Sequence, residues 1–160
     1  MKLIVRYRIT CANFHLSPST RRFVPELPTL TPEHGSLWYI SRTTRGHTLQ
    51  DCFTSGLFLD RGDTQLSISW EGDTAYLMPR FGDEASQSWF FRKTSQGCYS
   101  ISPVIGEGAL GIAANINSSE NRQVVLQRQS SSLWKLEPYR LSIPTGNKWS
   151  TSDYLVMLMS

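Results

Sequence analysis

The sequence predicts an all-β fold, closed into a barrel with pseudo-threefold symmetry, and three observations lead to this prediction. Short apolar runs bounded by turn residues recur roughly every 8–12 residues, a spacing typical of sandwiches and barrels. No run shows a sustained helical period. An aromatic residue, a spacer, Ile or Leu and then Ser also recur three times, and such a repeat favours the barrel. The three copies are Trp38–Ser41, Tyr99–Ser102 and Tyr139–Ser142.

The first predicted element is a strand close to the N-terminus. Alternate residues from Leu3 to Ile9 are apolar or aromatic, which is the pattern of a half-buried strand. Residues 17–36 contain four prolines and a glycine, so we expect a linker without regular strand pairing there. The sequence therefore predicts two parts, an N-terminal segment with its linker at 1–36 and a barrel domain at 37–160.

Short candidate strands continue from Leu37 to the end of the chain. Turns such as Glu71–Asp73 and Ser95–Gly97 separate them, because glycine and small polar residues interrupt strands. The candidates are Leu37–Ser41, Leu57–Leu59, Gln65–Trp70, Thr74–Met78, Ser88–Arg92, Tyr99–Ser102, Ala109–Ala113, Gln123–Gln127, Leu133–Glu137, Tyr139–Ile143 and Tyr154–Met159.

A tryptophan closes two of the repeated units. Trp89 and Trp134 each follow a series of strand-like runs, and we expect both rings to fill the core. Only 21 residues follow Tyr139, without a third closing motif, so the third repeat is expected to be short or incomplete. Either the barrel stays open, or a strand at Lys2–Thr10 completes it. An open barrel edge would allow self-association.

The closing motifs carry a family resemblance. Gln87-Ser88-Trp89, with its partial copy Ser132-Leu133-Trp134, resembles the Gln-x-Trp repeat of ricin B-type lectins, which are β-trefoils. The resemblance covers about residues 37–160 and is strongest to microbial and fungal members. It implies a glycan-binding module without catalysis, whose pockets each use an Asp, an aromatic platform and an amide side chain.

Such a pocket suits sugar chemistry. A carboxylate accepts hydrogen bonds from adjacent hydroxyls, an aromatic ring covers the apolar face of a pyranose, and an amide both donates and accepts. The resemblance implies an Asp directly after a strand-ending Leu, which fits Leu59-Asp60 or, in another register, Leu49-Gln50. In the next unit Gly111 follows Leu110 and offers no side chain, so at most one pocket is retained. The candidate sugar-binding residues are Asp60, Trp70, Tyr76 and Gln50.

Two other functions are considered beside glycan binding. The first unit is longer than the second by about 20 residues, which we place around Arg45–Gly56. A long inserted loop would suit a protein-binding trefoil of the protease-inhibitor type. A degenerate trefoil without a ligand is the third alternative.

Charge and composition exclude several further classes. The net charge of +3 comes from the first 25 residues, which hold five basic and no acidic side chains, so nucleic acid is not an expected partner. The three cysteines form no disulfide framework that the sequence reveals, and neither a metal nor a cofactor is expected. His47 and Cys52 lack a recognisable third catalytic group, so the chain is not expected to be an enzyme.

Targeting and membrane signals are weak or absent. Arginines interrupt the apolar residues at the start of the chain, so we expect no signal peptide and favour the cytoplasm, despite a faint likeness to a transit peptide. No apolar run approaches the roughly 18 residues needed to span a bilayer, so membrane insertion is not expected and the chain is expected to be soluble.

Overall fold

The computed structural model describes residues 2–18, 27–32, 35–52, 56–62, 73–80, 85–94, 96–112 and 122–143 of the chain. Antiparallel strands dominate this part, with a single turn of 3-10 helix at Ala85–Gln87. The strands are β1 Lys2–Cys11, β2 Phe14–Pro18, β3 Pro28–Thr31, β4 Trp38–Arg42, β5 His47–Asp51, β6 Phe58–Asp60, β7 Asp73–Thr74, β8 Tyr76–Met78, β9 Trp89–Lys93, β10 Tyr99–Pro103, β11 Ala109–Ile112, β12 Arg122–Gln127 and β13 Lys135–Ile143. No helix among these residues is long and apolar enough to cross a membrane.

Six of the strands form a closed barrel. Three hairpin-like pairs, β4–β5, β9–β10 and β13–β1, make up its wall. The pairs join through Tyr7 opposite Trp38, His47 opposite Trp89, and an isolated bridge between Tyr99 and Trp134. Tyr99 and Trp134 exchange two backbone hydrogen bonds of 2.7 and 2.8 Å, which close the ring of strands.

Three further hairpins cap the barrel. They pair β2 with β3, β6 with β8, and β11 with β12. A six-stranded barrel with three capping hairpins is the β-trefoil, so the predicted fold class is confirmed.

The threefold symmetry is clearest in the core. Trp38, Trp89 and Trp134 are fully buried, as we predicted for the last two. Each indole Nε1 donates to a leucine carbonyl oxygen at 3.0 Å, the acceptors being Leu16, Leu59 and Leu110 respectively. An indole must find an acceptor when its ring is buried, and these three leucines lie on the second strand of each unit. Each tryptophan therefore ties the fourth strand of its unit to the second.

The boundaries of the repeats differ from the prediction. Trp38 closes a first unit that begins at Lys2, whereas we had expected it to open one. Ser36-Leu37-Trp38 is in fact the counterpart of Ser132-Leu133-Trp134. The closing tryptophans then lie 51 residues apart (38 to 89) and 45 residues apart (89 to 134), so the third unit is not short.

The N-terminal segment belongs to the barrel. β1 pairs with β13 over nine residue pairs, which confirms the alternative in which Lys2–Thr10 supplies the missing strand. The expected linker is wrong over Pro28–Thr31, because this segment pairs with β2 and β12. Pro18 and Pro28 stand opposite each other at the end of the β2–β3 hairpin. A proline there removes few of the backbone hydrogen bonds that join the two strands. The predicted boundary at residue 36 is thus corrected, because the described strands β1, β2 and β3 belong to the first unit of the barrel domain.

The closed barrel removes the basis of two other predictions, self-association through an open edge and a long inserted loop. The open edge on which we based self-association is occupied, since β13 lies against β1. The expected insertion at Arg45–Gly56 contains β5, a barrel strand that the sequence did not reveal, and so it is not a long docking loop. The predicted strands at Gln65–Trp70 and Tyr154–Met159 lie outside the described residues.

Candidate functional site

Asp60, the predicted acceptor for sugar hydroxyls, is a buried structural residue. It ends β6 with 2% of its surface exposed. Its Oδ1 accepts a hydrogen bond from the Gly62 backbone N–H at 2.6 Å, and its Oδ2 accepts one from Ser86 Oγ at 3.2 Å. Both carboxylate oxygens are therefore engaged within the protein, and the side chain presents no open face to a pyranose.

Tyr76, a predicted sugar platform, packs against the same turn. The two residues stand opposite each other in the β6–β8 pairing. The Tyr76 ring packs against Gly62, where an added Cβ would lie 2.7 Å from ring carbon Cε2. Gly62 also has a φ of +82°, so glycine is required there both for its conformation and for the close approach of the ring. Trp70, the other predicted platform, lies outside the described residues.

Gln50, the fourth predicted residue, lines a surface cleft where the first unit meets the second. It lies on β5 between Tyr39 of β4 and Phe58 of β6, which are its cross-strand partners. Phe58 in turn stands opposite Met78, so the row crosses four strands. Gln50 Nε2 donates to the Gly56 carbonyl oxygen at 3.0 Å, which holds the amide in place and leaves its oxygen as an acceptor.

The cleft has a volume of about 420 Å³ and is lined by aromatic, hydroxyl, amide and guanidinium groups. Tyr39 is 40% exposed, and the Arg6 guanidinium carbon lies 4.6 Å from the centre of its ring. This cation–π contact orients the ring from the side of β1. The lining residues are Tyr39, Ser41, Arg42, Thr43, Thr44, Thr48, Gln50, Phe58 and Arg80. We refer to this set as the β4–β5 cleft.

Two arginines lie among the described residues that line the β4–β5 cleft. Arg42 and Arg80 are both exposed, and the described residues that line it include no Asp or Glu. His47 stands opposite Arg42 at the end of the hairpin. Burial lowers the pKa of His47, and the nearby Arg42 charge lowers it further, which favours the neutral imidazole.

The equivalent rows of the other two units are different. Phe90 stands opposite Ser102 where the second unit meets the third, and Lys135 stands opposite Thr10 where the third unit meets the first. Phe90 is 51% exposed but has a short hydroxyl beside it instead of an amide. Among these three rows, only that of Tyr39 and Gln50 combines an aromatic ring with an amide. The expectation of at most one sugar pocket stays a prediction, and Gln50 is the predicted residue that lies in such a row.

Sequence reasoning missed Tyr39, Phe58, Arg42 and Arg80 as members of a site. They come from two strands, β4 and β6, and from the segment after β8, and only the register of β4, β5, β6 and β8 brings them together. The one available signal was the alternative register at Leu49-Gln50. Gln87 of the Gln-x-Trp motif is fully buried and donates from Nε2 to the Pro79 carbonyl oxygen at 2.7 Å, so it acts in the core.

No protein-family model matches the sequence, and no curated protein matches it. Solved structures do match. A designed threefold-symmetric protein, ThreeFoil, superposes with a TM-score of 0.65 at 19% identity, over 82% of this chain and 97% of its own.

Two natural proteins are similar over part of their length. The Polyporus squamosus lectin, bound to the human-type influenza-binding epitope Neu5Aca2-6Galb1-4GlcNAc, has a TM-score of 0.59 and 17% identity, over 82% of this chain and 48% of its own. An exo-beta-1,3-galactanase from Clostridium thermocellum has a TM-score of 0.62 and 20% identity, over 83% of this chain and 30% of its own. The chain has a β-trefoil fold. At these identities the likeness shows the fold alone, and the closer relation to ricin B-type lectins stays a prediction.

Proposed function

We propose that this protein is a carbohydrate-binding module and that the β4–β5 cleft is its sugar site. The observation that carries the proposal is the cross-strand row in which the Gln50 amide lies between Tyr39 and Phe58. A pyranose has an apolar face that an aromatic ring can cover, and equatorial hydroxyls that an amide can bind as donor and acceptor. Ser41 and Thr48, opposite each other on the same two strands, add hydroxyl groups beside the row.

The proposed module binds without catalysis. Hydrolysis of a glycosidic bond commonly requires two carboxyl groups placed about 5–10 Å apart across the bond. The described lining of the cleft offers guanidinium, hydroxyl, amide and aromatic groups. These groups bind and orient a ligand, but they neither donate nor accept a proton readily at neutral pH.

Glycan binding by the full chain tests this proposal. We expect Tyr39→Ala and Gln50→Ala each to weaken binding of the best glycan on an array by about tenfold, or about 1.4 kcal/mol, because each removes one direct contact. Titration calorimetry with that glycan would give the dissociation constants. The thermal midpoints of the variants would show that the fold is intact.

Phe90→Ala is the matched control. Phe90 occupies the same position as Tyr39 on the next unit and is exposed, but it does not line the cleft. Its loss should leave the dissociation constant unchanged. Absence of binding to every glycan by the intact chain, or equal losses in Phe90→Ala and Tyr39→Ala, would overturn the proposal.

A further inference from the structure

We propose that the saccharide bound by the β4–β5 cleft carries an acetamido group, in which an N-acetyl substituent replaces a ring hydroxyl. This inference rests on the proposed function, since it names the ligand class of the same site. The observation behind it is the fixed orientation of the Gln50 amide between two aromatic side chains.

The hydrogen bond to Gly56 determines which end of the Gln50 amide faces a ligand. Nε2 donates to the Gly56 carbonyl oxygen at 3.0 Å. A carbonyl oxygen accepts hydrogen bonds and donates none, so the reversed amide would set two acceptors against each other. Oε1 accepts no hydrogen bond from the residues that the structure describes. The amide therefore offers a ligand one oxygen acceptor and at most one remaining N–H.

One uncharged oxygen suits an N–H donor better than a pair of sugar hydroxyls. Adjacent hydroxyls are bound more strongly by a carboxylate, whose two charged oxygens accept from both. Neither Asp nor Glu is among the described residues that line the cleft. An amide N–H donates once and accepts nothing, so a single acceptor satisfies it, whereas each hydroxyl can both donate and accept. Gln50 Oε1 thus matches the donor that an acetamido group supplies.

Aromatic carbon lies on both sides of the Gln50 side chain. Tyr39 is its cross-strand partner on β4, and Phe58 is its partner on β6. Side chains that stand directly opposite each other have Cβ atoms about 4.5–5.5 Å apart. In a planar trans amide the methyl group lies on the same edge as the N–H. An acetamido N–H bonded to Oε1 therefore brings its methyl group toward these two rings.

The two rings differ in exposure, which assigns them to different parts of the ligand. Tyr39 is 40% exposed, and the guanidinium carbon of Arg6 on β1 lies 4.6 Å from the centre of its ring. The exposed surface of this oriented ring suits the apolar face of a pyranose. Phe58 is half-buried and stands opposite Met78, so it offers a smaller apolar contact. A methyl group fits that contact, since it needs only a few carbon atoms at about 3.5–4.0 Å.

Matched pairs of ligands test the inference with the full chain. Tri-N-acetylchitotriose is compared with cellotriose, and N-acetyllactosamine with lactose, because the members of each pair differ only in acetamido groups that replace hydroxyls. We expect each acetamido ligand to bind about tenfold more tightly than its partner by titration calorimetry, since it donates to Gln50 Oε1 and buries a methyl group.

Variants of the three side chains locate the preference. Gln50→Leu removes the acceptor but keeps a side chain of similar size, so it should weaken the acetamido ligand about tenfold and leave its hydroxyl partner nearly unchanged. Phe58→Ala removes the methyl contact and should also reduce the ratio of the two affinities. Tyr39→Ala should weaken both members equally, because its ring covers a pyranose face that they share.

Gln123→Leu is the matched control. Gln123 is an exposed glutamine on β12 whose Nε2 donates to Thr74 Oγ1 at 3.1 Å, and it does not line the cleft. The variant makes the same chemical change on another strand, so it should leave both affinities unchanged. The thermal midpoints of all variants would show that the fold is intact.

The outcomes separate this inference from the proposed function. If both members of each pair bind equally and Tyr39→Ala weakens both, the cleft is a sugar site and the preference for acetamido ligands is overturned. The preference is also overturned if Gln50→Leu leaves the ratio of affinities unchanged, or if Gln123→Leu reduces that ratio as much. If no saccharide binds to the intact chain, the proposed function fails and the ligand class fails with it.

Discussion

At the scale of single residues, three buried indoles do most to define the structure. Trp38, Trp89 and Trp134 have the same burial and the same 3.0 Å bond to a leucine carbonyl oxygen. A large ring fixed at both its apolar face and its polar N–H can adopt only one position, so each tryptophan sets the distance between two strands of its unit.

Trp38→Phe should lower the free energy of unfolding by about 2–3 kcal/mol, since it removes the buried N–H donor and leaves a small cavity. The measurement is urea unfolding followed by circular dichroism. Phe90→Ala, at an exposed aromatic position, should change the same quantity by less than about 0.5 kcal/mol. A Trp38→Phe variant as stable as the parent would show that the indole bond contributes nothing net.

At the scale of elements, β1 is the strand on which barrel closure depends. It pairs with β13 over nine residue pairs and meets β4 at Tyr7. The first unit also gives the core Ile9, Leu16 and Leu30, each 1% exposed or less.

A chain that starts at residue 37 should therefore fail to fold. Losing three fully buried aliphatic side chains costs roughly 5–9 kcal/mol at about 1.5–3 kcal/mol each, which is comparable with the whole stability of a typical domain. The unpaired edges of β4 and β13 would add a tendency to aggregate. Far-UV circular dichroism and a thermal melt of this fragment provide the measurement, and a peptide of residues 1–36 added in trans should restore a cooperative melt. A fragment that melts alone like the full chain would contradict the assignment of β1 to the barrel.

The sequence predicted the fold class but placed the repeat out of phase. Trp38–Ser41 and Tyr99–Ser102 look alike, yet the former lies on the fourth strand of the first unit and the latter on the first strand of the third. Side chains alternate between the two faces along both strands. The sequence pattern of a first strand therefore looks the same as that of a fourth strand. The true counterparts of Tyr99 and Ile101 are Tyr7 with Ile9 and His47 with Leu49.

The candidate site was less predictable than the fold for a physical reason. Gln50 was predicted because the Leu-Asp pattern of the family can be aligned with Leu49-Gln50, two neighbouring residues of one strand. Its neighbours Tyr39 and Phe58 are set by strand register, and register depends on pairing energies across the whole sheet. The pattern also pointed to Asp60, which the turn at Gly62 engages instead.

At the scale of the whole molecule, the buried core repeats in all three units, whereas the exposed side chains of the units differ. The indole bonds repeat three times, so the symmetry lies in the core. The exposed cross-strand rows carry Tyr39 with Gln50, Phe90 with Ser102 and Lys135 with Thr10, so they have diverged. Core positions must satisfy packing in every unit, whereas outward positions on the same strands can change without altering the barrel.

The shared core also determines how the molecule unfolds. In a linear repeat array each unit contacts only its neighbours and unfolding can proceed in steps. Here β1 of the first unit pairs with β13 at the far end of the described chain, and buried residues of all three units form one cluster. We therefore expect a single cooperative transition, with slow folding because the decisive contacts are distant in sequence.

Urea unfolding measured by tryptophan fluorescence and by far-UV circular dichroism should give the same midpoint within error, because the buried indoles report on tertiary packing and the dichroism on the strands. Trp134→Phe should shift both midpoints downward by the same amount, although the change lies in the third unit only. Two separated transitions, or a fluorescence midpoint that moves while the dichroism midpoint stays, would mean that the units unfold independently. A trefoil whose units share one core cannot lose the anchor of one unit without lowering the stability of all three, and the coincidence of the two probes measures that dependence directly.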